Sequence, residues 1–168
     1  MEAGPKDTMD ERQTRFNGLF VQHYEEIYRY LSGMYPEQVE DLVQETFMTL
    51  LDRLEEVEES TVRAWLYRVA MNKGIDAVRS NKRRSLRHEH AHTLEATHTE
   101  GAEVQVLVRL ALEKLEERQV QLLHLYSCGL SYEELACVLG VQKSSISQLL
   151  SRAKKAFEES YQRFSMSA

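Results

Sequence analysis

Cysteine is nearly missing from this 168-residue chain: it has only Cys128 and Cys137, nine positions apart in a segment that reads as helical. A reducing compartment keeps such thiols free, and they are read as packing residues without a redox role. Long hydrophobic runs are missing too. No apolar stretch approaches the roughly 20 residues needed to cross a bilayer, which excludes a membrane-embedded helix. The opening residues Met1 to Asp7 contain neither a basic start leading into an apolar stretch nor a small-residue cleavage site, so no secretory leader is expected and the expected compartment is the cytosol. Catalytic signatures are absent as well: there is no Gly-rich phosphate loop, no His-Glu-x-x-His helix and no nucleophile elbow. No enzymatic activity, cofactor or metal is therefore expected. Strand-type alternation and internal repeats are not found, and the length leaves room for one ordinary domain or two small ones, too little for a deep cofactor cleft.

What the chain does have is charge, strongly sorted. It is 29% charged with a formal net charge of −6. Acid dominates the first third, at Glu25, Glu26, Glu37, Glu40, Asp41, Glu45, Glu55, Glu56, Glu58 and Glu59. Base follows at Arg63, Arg68, Lys73, Arg79, Lys82, Arg83, Arg84 and Arg87. Such asymmetry points to two partners, a basic protein surface for the acidic part and a polyanion for the basic part.

Apolar periodicity gives the organisation. Residues 1–15 are polar and aperiodic and read as a mobile tail. A first helix carries Leu19, Phe20, His23, Tyr24, Ile27, Tyr28 and Leu31, and is broken by Gly33 and Pro36. A second carries Val39, Leu42, Val43, Phe47, Leu50, Leu51 and Leu54. A third, capped by Ser60 or Thr61, carries Trp65, Leu66, Val69, Ala70, Ile75 and Val78. Residues 85–102 lose the period and read as a flexible linker. Its histidines His88, His90, His92 and His98 are read as solvated, because no cysteine or ordered carboxylate completes a metal site. In residues 103–168, one helix holds Val104, Leu107, Val108, Ala111, Leu112 and Leu115, and the next holds Val120, Leu122, Leu123, Leu125 and Tyr126, stopped by Gly129.

The most informative segment follows. Ser131-Tyr132-Glu133-Glu134 has the pattern of a capping box. The short helix it opens ends at Gly140, and a new stripe of Ile146, Leu149, Leu150, Ala153 and Phe157 starts within six residues, which is a helix-turn-helix pattern. Its second helix leaves Ser144, Ser147, Gln148 and Ser151 outward, within reach of base edges, with Lys143, Arg152, Lys154 and Lys155 placed for phosphates. The predicted fold class is all-α: two small helical domains, 16–84 and 103–168, joined by a linker.

Two motifs together resemble the extracytoplasmic-function branch of the sigma-70 family. The first is Asp41-Leu42-Val43-Gln44-Glu45-Thr46-Phe47 followed by the run Arg63 to Arg79, similar to the promoter-melting domain. The second is Leu130 to Ala136 through Ser151-Arg152-Ala153-Lys154, similar to the upstream-element reader. The resemblance implies a dissociable subunit of bacterial RNA polymerase. Its expected partners are the core enzyme, through the largest-subunit clamp coiled coil and the flap, promoter DNA, and an anti-sigma factor. Asp41, Gln44, Glu45, Met48 and Asp52 form the expected polymerase-binding ridge. By resemblance, the third helix and the loop of about residues 53–61 hold the −10 element, with Asn72, Arg79, Lys82, Arg83 and Arg84 as DNA contacts. Lys143, Ser144, Ser147, Gln148, Ser151, Arg152 and Lys155 are the expected −35 contacts. Trp65 is read as a core residue. Ser147 and Leu149 stand where the family usually has basic residues, which implies a less cationic reader surface. An autonomous dimeric helix-turn-helix regulator is the alternative, and a decoy-like protein whose reader lobe binds another protein is a third.

Overall fold

The computed structural model describes residues 5–85 and 102–166. Among them the regular structure is seven α-helices and one 3-10 turn: α1 (Pro5–Met34), the turn Pro36–Gln38, α2 (Val39–Asp52), α3 (Val62–Ser85), α4 (Ala102–Leu112), α5 (Glu117–Ser127), α6 (Tyr132–Leu139) and α7 (Lys143–Ser165). The all-α expectation is met. The chain divides into two compact units, 1–82 and 83–168, and most of the expected linker, with its four histidines, lies outside the described residues.

In the first unit α1 and α2 pack side by side, with α3 locked on through side chains. Ile27, Tyr30, Leu31, Leu50, Leu54, Leu66 and Ala70 are fully buried. Each large apolar side chain removed from water in this way contributes about 1.5–3 kcal/mol. Tyr30 of α1 meets Tyr67 of α3 edge to face, with centroids 5.3 Å apart. Beside them Glu26 collects three partners: His23 Nδ1 at 2.5 Å, Arg63 Nε at 2.9 Å and the Tyr67 hydroxyl at 3.4 Å. A partly buried carboxylate is retained here because donors from two helices satisfy it.

Two sequence expectations need correction in this unit. Most of the expected tail is helix, since α1 begins at Pro5. The segment lacks an apolar stripe because polar contacts, not hydrophobic burial, hold its described end: Arg12 and Arg15 donate to backbone carbonyls at the end of α2 and beyond. The apolar stripe of α1 predicts Tyr24 and Tyr28 in the core, yet they are 40% and 37% exposed, while Tyr30 takes the interior position.

In the second unit α7 is the spine, contacted by α4, α5 and α6. Ala111, Leu125, Leu135, Ile146 and Ala153 have no exposed surface. The Ser131 capping box forms as predicted: the Glu134 amide donates to Ser131 Oγ at 3.2 Å, and the Ser131 amide donates to Glu134 Oε2 at 2.7 Å. Gly140 closes α6 in the left-handed region at φ 65°, and the Val141 amide returns to the Ala136 carbonyl at 3.1 Å. That closure reverses the chain into α7 within three residues. Cys128 is half-buried, but Cys137 is exposed; the core face of α6 is Leu135, Ala136 and Val138, so Cys137 is not the packing residue expected.

Candidate functional site

On α2 the pattern 41, 44, 45, 48, 52 follows helical repeats, so these side chains share one side while Leu42, Val43, Thr46, Phe47 and Leu50 share the other. The structure buries the second set and exposes Asp41, Gln44, Glu45, Met48 and Asp52. Met48, an apolar side chain 56% exposed, sits in the middle of this otherwise polar ridge. Glu45 is not wholly committed to solvent, since Lys73 of α3 reaches it at 3.3 Å.

Sequence reasoning missed what runs beside the ridge. Phe16, Phe20, Tyr24 and Tyr28 recur every four residues on α1 and form a ladder of tilted to stacked rings with successive centroids 6.0, 5.1 and 6.0 Å apart. Phe47 of α2 anchors it, 4.8 Å from Phe20. Phe20, Tyr24 and Tyr28 line an open groove with Glu40, Val43 and Gln44, so the ladder meets the ridge at Gln44. The strict four-residue aromatic spacing was the available signal, and the presence of two phenolic heads marked the ladder as half-wet.

A second groove lies between the end of α2 and α3, lined by Thr49, Arg53, Trp65, Arg68, Val69 and Asn72. Trp65 is half-buried and forms its wall, which corrects the reading of it as a core residue. Its position three and seven residues before Arg68 and Asn72 puts an indole face, a guanidinium and an amide on one side of the helix. Asn72 and Arg79 are exposed. Lys82, Arg83 and Arg84 fall on the last turn of α3, with their side chains outside the described set.

On α7, Ser144, Ser147, Gln148, Ser151 and Arg152 are exposed together. Three cations near them are already engaged: Lys143 with Glu133 at 3.1 Å, Lys155 with Glu159 at 4.0 Å, and Lys154 over the Tyr126 ring at 4.2 Å. Leu149 does not face outward with the serines. It is half-buried in a groove with Leu122 and Leu139, flanked by Arg118 and Arg152.

A three-helix unit is followed in the chain by a helix-turn-helix unit, and each matches a region of one known family of transcription initiation factors. Sigma-70 region 2 matches residues 19–84, and Sigma-70 region 4 matches residues 105–157. The chain belongs to the sigma-70 family, in its extracytoplasmic-function branch. It is similar to the ECF RNA polymerase sigma factor SigM of Bacillus subtilis strain 168, with 26% identity over 153 residues, 86% of this chain and 94% of that one. SigZ of the same organism is 28% identical over 142 residues, 81% of each chain. The fold is similar to that of CnrH in complex with the cytosolic domain of CnrY, with TM-score 0.64, 23% identity, and 88% and 87% of the two chains covered. It is also similar to the sigma factor RpoE in complex with the anti-sigma factor NepR from Bartonella quintana, with TM-score 0.67, 20% identity, and 88% and 96% covered.

Proposed function

We propose that this protein directs bacterial core RNA polymerase to particular promoters and starts their melting, as a cytoplasmic subunit that leaves all chemistry to the polymerase. The observation that carries the reading is the match to both sigma regions, in order, one in each helical unit. In this reading the α2 ridge and the aromatic ladder dock the polymerase clamp, a surface of opposite charge. The groove of Arg53, Trp65, Arg68 and Asn72 receives a promoter base taken out of the stack. Unstacking costs a few kcal/mol, and an indole face with two guanidiniums returns stacking and phosphate contacts. The outward face of α7 reads the upstream element in the major groove. Because RpoE is seen with an anti-sigma factor, an anti-sigma partner that covers these faces is part of the proposal.

Run-off transcription with core polymerase and fragments from the upstream region of this protein's own gene tests the reading. Asp41→Lys is the cleaner ridge variant, because Glu45 also holds Lys73 and its reversal would place two lysines together. Specific transcripts that Asp41→Lys reduces about tenfold or more, with the fold retained, support the proposal. Tight, sequence-specific duplex binding by the protein alone, with no change in polymerase start sites, would leave the autonomous regulator standing instead.

A further inference from the structure

A pair of arginines stands in the part of α1 that the sequence pattern reads as a tail. Helix α2 ends at Asp52; the Arg53 amide donates to the Thr49 and Leu50 carbonyls, which leaves the Leu51 carbonyl beyond the helical ladder, and the chain then runs through turns to α3. Arg12 Nη2 donates to the Leu51 carbonyl at 2.7 Å. Arg15 Nη1 donates to the Leu54 carbonyl at 2.8 Å, and its Nη2 donates to the Val57 carbonyl at 2.6 Å. A single planar guanidinium thus fixes two carbonyls three residues apart, a geometry that the flexible ammonium of lysine cannot reproduce. Both cations also stand where the negative end of α2 favours them. Leu54 and Val57 point their side chains into the core, 0% and 5% exposed, so the segment is held from inside by apolar burial and along its backbone by Arg15.

The segment so held carries Arg53, whose side chain lines the groove of Trp65, Arg68 and Asn72. We propose that Arg15, supported by Arg12, is a positioning residue for −10 element recognition: it sets the orientation of residues 53–61 and thereby the shape of the base-accepting groove. This rests on the sigma reading above. Arg15 touches no DNA in this account. Of residues 53–61 Arg53 is the one that lines the groove; its amide is held to the end of α2 by the Thr49 and Leu50 carbonyls, and Arg15 fixes the chain that leaves it, through the carbonyls of Leu54 and Val57. The first turns of α1 thus belong to the promoter-reading apparatus although they lie outside the matched region, which begins at residue 19.

The experiment uses the full-length protein with core polymerase and forked promoter fragments that carry either the preferred −10 base or a substituted one. The readout is the ratio of affinities for the two forks, which does not depend on the fraction of protein that is active. Arg15→Ala and Arg15→Lys are compared with wild type, alongside core-binding affinity and hydrogen exchange of the 53–61 amides. The expected result is a ratio that collapses about tenfold in Arg15→Ala, only partial rescue by Arg15→Lys, faster exchange in 53–61, and core binding within about twofold of wild type. A preserved ratio, with activity falling only in step with thermal stability, would overturn the inference and reduce Arg15 to a structural residue. A wild-type protein that shows no preference between the forks would overturn the function reading itself, and the inference with it.

Discussion

Gly74 shows how a single missing side chain shapes the first unit. It lies inside α3, where glycine is about 1 kcal/mol less favourable than alanine, and it is buried. A Cβ built there would fall inside the ring of Tyr35. Tyr35 begins the reversal between α1 and α2, its amide held by the Leu31 carbonyl at 2.6 Å, so the ring cannot retreat without moving the turn that starts α2. Overpacking of this kind costs about 1–3 kcal/mol, which outweighs the gain in helix propensity. Gly74→Ala should therefore lower stability in urea unfolding, although the same change at a free helical site raises it. Adding Tyr35→Ala should recover part of the loss relative to Tyr35→Ala alone, because the methyl group then fills space instead of meeting a ring. A stabilised single variant would show that Tyr35 is not fixed against α3.

At the scale of elements, the helix-turn-helix hinges on the cap that opens α6. Ser131 and Glu134 satisfy one another's amides at the point where the chain turns out of α5. Ser131→Ala should cost about 1 kcal/mol of stability and weaken −35 binding in proportion to the loss of ordered α6, measured by denaturant unfolding and by transcription from the cognate promoter. Unchanged stability would mean that the packing of Leu135 and Val138 positions α6 without the cap. This element was legible in the sequence because every signal was local: a hydroxyl three residues before a glutamate, a glycine nine residues after the cap, and a new apolar stripe. The core stripe of α2 was legible for the same reason, and with it the exposed ridge on the other side. The start of α1 was not, since its described end is held by Arg12 and Arg15 reaching carbonyls 39 to 42 residues away, and long-range polar contacts leave no period. Trp65, Tyr24 and Tyr28 depart from the stripe's prediction for a chemical reason. An aromatic ring at a helical stripe satisfies the pattern whether it is sealed into the core or forms the wall of a groove.

Across the whole molecule the charge is divided more sharply than the net value conveys. Residues 1–82 hold 16 acidic and 10 basic side chains, while residues 83–168 hold 11 of each. The reader unit is thus neutral overall, and Lys143 and Lys155 each have a surface carboxylate close by, Glu133 at 3.1 Å and Glu159 at 4.0 Å, while Lys154 lies over the Tyr126 ring. Few counterions are displaced when such a surface meets a duplex, so the free protein should bind its −35 element weakly, with a shallow dependence on salt. Ser147 is exposed on the face of α7 proposed to read the upstream element, where an added cation would meet phosphate or guanine without disturbing the core. Ser147→Arg should tighten binding of the free protein to duplex and steepen the slope of log K against log salt by about 0.9 if the new guanidinium reaches a phosphate. Fluorescence anisotropy over a salt series measures both. Within the holoenzyme the same substitution should matter less for promoter occupancy, because a polymerase that holds one unit on DNA presents the other at an effective concentration on the order of millimolar. A wild-type protein whose slope is already steep would contradict this, and would place the cationic contacts in the arginines that follow α3's Arg79 instead of on α7. On the proposed function such a weak reader would be a specificity device: a unit unable to hold duplex DNA alone would act only with polymerase attached, which would keep the free protein off promoters it cannot transcribe.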